Sequence, residues 1–169
     1  EELLTAAMSA GDAPSYNLGI IKIKQGDYAA AVNYFGNKPS FNAALAQLLN
    51  GGNDKAIATL NELGDVKDAW VYYLKAVANA RGGVTDGVIT NLRQALTLDS
   101  SIKAYAVKDA EFLKLADNAD FKALFDQYFP FTSAYSNMRK WRTSNRPIKY
   151  GGIQGLTSRR YNYQNRSDR

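Results

Sequence analysis

Apolar residues recur three and four positions apart through most of the first 130 residues, and glycines interrupt the rhythm at regular places. The stretches "YNLGIIKIKQGDYAAAVNYF" (16–35) and "FNAALAQLLNGGNDKAIATL" (41–60) can be laid over each other with a shift of 25 residues. Tyr16 then meets Phe41, Asn17 meets Asn42, Gly19 meets Ala44 and Ile20 meets Leu45. Further along, Gly26 meets Gly51, Ala31 meets Ala56, Val32 meets Ile57 and Phe35 meets Leu60. Helical periodicity on both sides of a turn glycine predicts a helix, a tight turn and a returning amphipathic helix in each stretch. A fixed internal period also decides the architecture before any local motif does.

A third, longer unit follows at 69–101, "AWVYYLKAVANARGGVTDGVITNLRQALTLDSS". Trp70, Tyr73, Leu74 and Val77 share one helical face, Gly82-Gly83 make the turn, and Val88, Leu92, Ala95 and Leu96 form the returning face. Beyond it, "DAEFLKL" (109–115) and "DFKALF" (120–125) each set an aspartate ahead of apolar residues at helical spacing. These read as two short closing helices whose first N–H groups the carboxylates can cap. Small residues at 19, 31, 44 and 56 allow close helix approach, and Phe35, Leu60 and Leu92 fill the space between stacked hairpins.

Several of these residues resemble the tetratricopeptide repeat. Leu18-Gly19, "GDY" at 26–28 and Ala31 followed four residues later by Phe35 reproduce most of that family's pattern. Ala56 with Leu60, and Val88 with Leu92, repeat its second-helix signature, while Trp70, Tyr73, Leu74 and Val77 look like its first-helix signature, with Leu74 in place of the usual glycine. "ALTLDS" is similar to the usual ending, with Ser100 where proline is common, and the first two units are shorter than the family's period, compressed around "GNKP". The resemblance covers about residues 13–128 and implies an all-α fold: a short right-handed α-solenoid of three helical hairpins plus two closing helices. "FNAALAQLLNGGN" and "YYLKAVANARGG" are also similar to repeat proteins of the Bacteroidetes cell envelope, which implies an envelope location, periplasmic or associated with the outer membrane, in preference to the cytoplasm.

Charge splits the chain where the pattern ends. Residues 1–131 carry a net charge of −3 and residues 132–169 a net charge of +8, giving the overall +5. The expected organisation is a helical repeat domain at 1–131 followed by an irregular, extended, basic tail at 132–169. No apolar run approaches the roughly 20 residues of a membrane span. The chain opens on Glu1, as a processed or excised segment would, and without cysteine it suits either redox compartment.

The chain contains no histidine and no cysteine, so the commonest general base, the commonest metal ligand and the thiol nucleophile are all missing. Its aspartates are scattered one per turn or cap, and "GGNDKA" and "ARGGVTDG" lack the lysine and hydroxyl residue of a phosphate loop. "DNAD" (117–120) offers too few oxygens for a calcium loop and reads as a helix cap. The expectation is a non-enzymatic protein without cofactor or metal.

What remains is recognition. In the resembled family the first helix of each hairpin lines a groove for peptides, and the resemblance places Tyr16, Asn17, Ile20 and Lys24 there from the first unit, Asn42, Leu45 and Leu49 from the second, and Val71, Lys75 and Asn79 from the third. An asparagine amide offers both a donor and an acceptor to a peptide backbone, which singles out Asn17 and Asn42. The tail supplies Arg139, Lys140, Trp141, Arg142, Arg146, Tyr150, Arg159, Arg160, Tyr161 and Tyr163, cations interleaved with aromatics. Such a segment suits docking on a protein, either a partner in a larger complex or a neighbouring copy, and is also the composition that single-stranded nucleic acid requires. Protein or peptide binding is the leading expectation; nucleic-acid association through the tail is the alternative.

Overall fold

The glycine-punctuated rhythm becomes a series of helices, several of which start on a short polar side chain. The computed structural model describes residues 12–126, and every regular element among them is helical: α1 (Asp12–Gln25), α2 (Tyr28–Phe35), α3 (Phe41–Leu49), α4 (Asn53–Glu62), α5 (Ala69–Gly82), α6 (Thr85–Leu98), α7 (Lys103–Ala106) and α8 (Ala119–Asp126), with 3₁₀ turns at Ser100–Ile102 and Ala110–Leu115. Asp27 accepts a hydrogen bond from the Ala30 N–H at 3.2 Å to start α2, Ser40 accepts from Ala43 at 3.0 Å to start α3, and Asp68 accepts from Trp70 at 2.9 Å to start α5. Each satisfies a donor that the first helical turn otherwise leaves unpaired. The equivalent turn residues Gly26 and Gly51 have φ of 81° and 87°, a left-handed backbone that side chains with a Cβ disfavour. That requirement explains why the repeat keeps glycine at both places.

The described residues fall into two compact units, 12–64 and 65–126, a division lying inside the 1–131 stretch. In the first unit α1 packs on α2 and α3 on α4, while α3 also touches α1 and α2. Leu18, Ile23, Ala31, Ala44, Leu45, Leu48, Ala56 and Leu60 are sealed from solvent. Burying each leucine or isoleucine side chain contributes about 1.5–3 kcal/mol. Gly19 lies directly under the Phe35 ring, so close that a Cβ there would stand 2.7 Å from two ring carbons. Gly19 therefore permits the α1–α2 contact in the way the sequence suggested.

In the second unit α5 and α6 form the longest hairpin. Tyr73, Leu74 and Val77 are buried as their spacing predicts, and so are Val88, Leu92, Ala95 and Leu96 of α6, the helix on which α5 packs. Trp70, expected on the same face, stays half-buried at the edge. It packs edge-on against Tyr73 and Tyr105, with ring centroids 5.5 and 5.2 Å away. From Tyr73 the ring contacts continue through Phe112 (5.8 Å) and Phe121 (5.9 Å) to Phe125 (4.9 Å). Such pairs add about 0.5–1.5 kcal/mol each beyond their buried area. They tie the closing segment to α5.

Two local details depart from the sequence reading. The stretch after Leu98 holds a 3₁₀ turn and the short α7, started by Asp99 accepting from the Ser101 N–H at 2.9 Å, because Ile102 and Ala106 find fully buried positions. Asp109 caps the Ala110–Leu115 turn by accepting from the Glu111 N–H at 3.0 Å, as expected. The last helix, however, begins one residue before Asp120, and its cap is Asn118, which accepts from the Phe121 N–H at 2.9 Å. The "DNAD" motif is thus a cap.

Candidate functional site

The first unit gathers its polar candidates around one buried amide. Asn42 occupies the second position of α3, and α1 and α2 cover that helix, so the side chain is only 3% exposed. Its Nδ2 donates to the Tyr16 hydroxyl at 2.8 Å, a bond between α1 and α3, and Tyr16 in turn packs edge-on against Phe35 at 5.3 Å. No donor reaches the Asn42 Oδ1. Rotating the amide by half a turn would let the Tyr16 hydroxyl reach that oxygen but would strand the Nδ2 protons, so one side of the amide is left unmet either way. An unmet buried polar group costs about 1–3 kcal/mol.

The other first-unit candidates are placed less favourably for a groove. Ile20 and Leu45 were expected to face outward, yet both are buried in the core. The reason is that both helices have more than one neighbour, α1 packing against α2 and α3, and α3 against α1, α2 and α4, which leaves little of their surface to line a groove. Asn17 and Leu49 are half-buried, and Lys24 is exposed near the end of α1.

The second unit brings Lys75 together with two residues that the sequence did not single out. The Lys75 ammonium stands 5.4 Å from the centre of the Tyr72 ring, and the Tyr72 hydroxyl donates to Asp65 at 3.1 Å. Burial lowers the Lys75 pKa from its ordinary value, opposed by the nearby Asp65 carboxylate. The Tyr72 pKa is raised by burial and by the hydrogen bond and charge of Asp65. Tyr72 and Lys75 stand three apart on α5, a spacing that makes them neighbours, whereas Asp65 lies in the loop before α5, where helical spacing gives no signal. Asn79 turns back on its own helix, donating to the Lys75 carbonyl at 2.7 Å, and a Cβ on Gly87 would collide with its Oδ1. Val71, a further groove candidate, is 1% exposed and belongs to the core.

A second polar grouping in this unit was also invisible in the sequence. Tyr73, buried on α5, donates its hydroxyl to Asp109 at 2.5 Å across 36 residues of chain. Arg81, two turns further along α5, donates to both carboxylate oxygens of Glu111, at 3.0 and 2.5 Å. Partners so far apart in the chain leave no spacing signature.

The tail candidates Arg139, Lys140, Trp141, Arg142, Arg146, Tyr150, Arg159, Arg160, Tyr161 and Tyr163 lie outside the described residues. Among the described residues, no group of acidic side chains is placed to hold a metal ion, and no helix is long and apolar enough to cross a membrane. Comparisons with protein-family models, with curated proteins and with solved structures find no match for this chain.

Proposed function

We propose that the chain is a non-enzymatic helical-repeat module of the tetratricopeptide kind, a short solenoid that binds a protein or peptide segment as one part of a larger envelope assembly. The observation that carries the reading is the Asn42 amide, whose Oδ1 has no donor although the side chain is almost wholly buried. Folded proteins rarely keep such an acceptor without a use for it. A main-chain N–H of the partner would satisfy it once the side chains covering it move aside, while the bond to Tyr16 holds the amide in position. Asn17, beside Tyr16 in the chain, is the second anchor, and Lys75 is the cation available to the same partner class.

The burial of Ile20 and Leu45 narrows the candidates of the first unit to Tyr16, Asn17, Lys24, Leu49 and the buried amide of Asn42, and the burial of Val71 leaves Lys75 and Asn79 in the second. The test is an array of short unstructured peptides probed with the full chain, with a chain ending at residue 131, and with Asn17→Ala/Asn42→Leu. Peptides that bind the first two proteins and are lost by the third support the reading. Binding unaffected by the double substitution overturns it. The alternative, a nucleic-acid-associated protein, draws its support from the tail's net charge of +8 and its interleaved aromatics.

A further inference from the structure

Helix α5 is enclosed on almost all sides. From Ala69 to Asn79 only Trp70, Tyr72, Lys75 and Asn79 escape full burial, and Trp70 is taken up by its ring contacts with Tyr73 and Tyr105. Tyr72, Lys75 and Asn79 follow one another at steps of three and four, so they share one line along the helix. Val71 and Ala78 on one side of that line, and Ala69 and Ala76 on the other, are buried. What α5 offers to solvent over these residues is a stripe one side chain wide, and every group on it is polar.

Neighbouring residues fix the shape of this stripe. Asn79 donates to the Lys75 carbonyl at 2.7 Å, and Gly87 on α6 lies so close to the Asn79 Oδ1 that a Cβ there would collide with it. The amide is thereby held in place with its second N–H left to donate. At the other end the Tyr72 hydroxyl donates to Asp65 at 3.1 Å. Between them stands the Lys75 ammonium, 5.4 Å from the centre of the Tyr72 ring. Asp65 attracts it through space, but among the described residues no carboxylate forms an ion pair with it. A half-buried ammonium resting on a ring face has lost water without gaining an anionic acceptor.

We propose, on the footing of the peptide-binding reading above, that the stripe of Tyr72, Lys75 and Asn79 recognises one side-chain carboxylate of an acidic peptide segment. The Lys75 ammonium and the free Asn79 N–H donate to its oxygens. The stripe holds a single cation, with Asp65 beyond the Tyr72 ring, so it matches a group of one negative charge. A phosphoryl group, with about two negative charges at neutral pH, meets the same lone ammonium and a stronger repulsion from Asp65. A neutral side chain leaves the ammonium as it was. All of these residues belong to the second unit, so the charge preference does not depend on the Asn42 amide.

The experiment is fluorescence polarisation of labelled peptides built from repeated Gly-Glu-Ser, Gly-Gln-Ser and Gly-phosphoserine-Ser, titrated with the full chain at low salt. The Glu peptide should bind about tenfold more tightly than the other two, as a charge-assisted hydrogen bond allows. Lys75→Met keeps the side-chain length over Tyr72 and should bring the Glu peptide to the level of the Gln peptide, whereas Lys75→Arg should keep the preference. Asp65→Asn preserves an acceptor for the Tyr72 hydroxyl and removes a competing charge, so it should tighten binding of the Glu peptide severalfold, a gain that a merely structural Asp65 would not give. Equal binding of the Glu and Gln peptides, a Glu preference that survives Lys75→Met, no gain in Asp65→Asn, or tighter binding of the phosphoserine peptide overturns the proposal. Any of these, together with loss of binding in Asn17→Ala/Asn42→Leu, leaves the peptide-binding reading standing. If none of the three peptides binds the native chain, and the peptide array yields no binder either, both fall.

Discussion

Replacing Gly19 by alanine sets two measurable effects of opposite sign against each other. Within a helix the change favours folding by about 0.5–1 kcal/mol, since glycine loses more backbone freedom than alanine. The new Cβ, however, would sit 2.7, 2.7 and 2.9 Å from three carbons of the Phe35 ring. Ordinary carbon–carbon contact is about 3.5–4.0 Å, so the ring must retreat by about 0.8 Å or more. It has little room to do so, being buried and packed edge-on against Tyr16, whose hydroxyl carries the bond to Asn42. Overpacking of this kind costs about 1–3 kcal/mol, and the net expectation is a loss of about 1–2 kcal/mol confined to residues 12–64. Local hydrogen exchange in α1–α3, supported by urea unfolding, measures it. The double variant Gly19→Ala/Phe35→Leu should recover part of the loss relative to the sum of the single changes, because leucine vacates the space the methyl needs. A Gly19→Ala chain more stable than the native one by the full helix-propensity gain would refute the reasoning, since Phe35 would then not lie over Gly19.

Other substitutions separate stability from binding. Asn42→Leu removes the unmet acceptor together with its partner bond, so it should change stability by less than about 1 kcal/mol, whereas Asn42→Asp buries a charge and should cost about 3 kcal/mol or more; urea midpoints compare the two. Tyr73→Phe leaves the part-buried Asp109 without its long-range donor and should lower the stability of residues 65–126 by about 1–3 kcal/mol at neutral pH, read by exchange in α5. For the tail, affinity for a single-stranded oligonucleotide should be weak in the full chain and unchanged on removal of residues 132–169; a steep, salt-sensitive affinity that disappears with the tail would favour the alternative function instead.

Much of the helical order was legible because a hairpin repeat is a local object. The 25-residue match between 16–35 and 41–60 placed α1 to α4, and the Gly82-Gly83 turn separated α5 from α6. The Ser40 cap of α3 was not singled out, whereas capping was legible where an aspartate preceded an apolar run, as at Asp109. It was misplaced at the last helix, where Asn118 and Asp120 compete within three residues and only the backbone geometry selects between them.

The candidate site was less legible. Which face of a first helix looks outward depends on what packs over it, and that is a property of the stack. Ile20, Leu45 and Val71 sit at positions that the resemblance assigns to a groove, yet each is buried. Periodicity separates apolar faces from polar ones, but it does not count how many neighbours a helix will have. The sequence by itself determined the helices, their turns and the small residues that let them approach. The tertiary structure alone decided that Asn42 keeps an unmet acceptor, that Asp65 joins Tyr72 beside Lys75, and that Tyr73 reaches Asp109. Tyr72 and Lys75 stand three apart on one helix and could have been read as neighbours, but Asp65, the Asn42–Tyr16 bond and the Tyr73–Asp109 bond join residues from different elements, which no short-range period records.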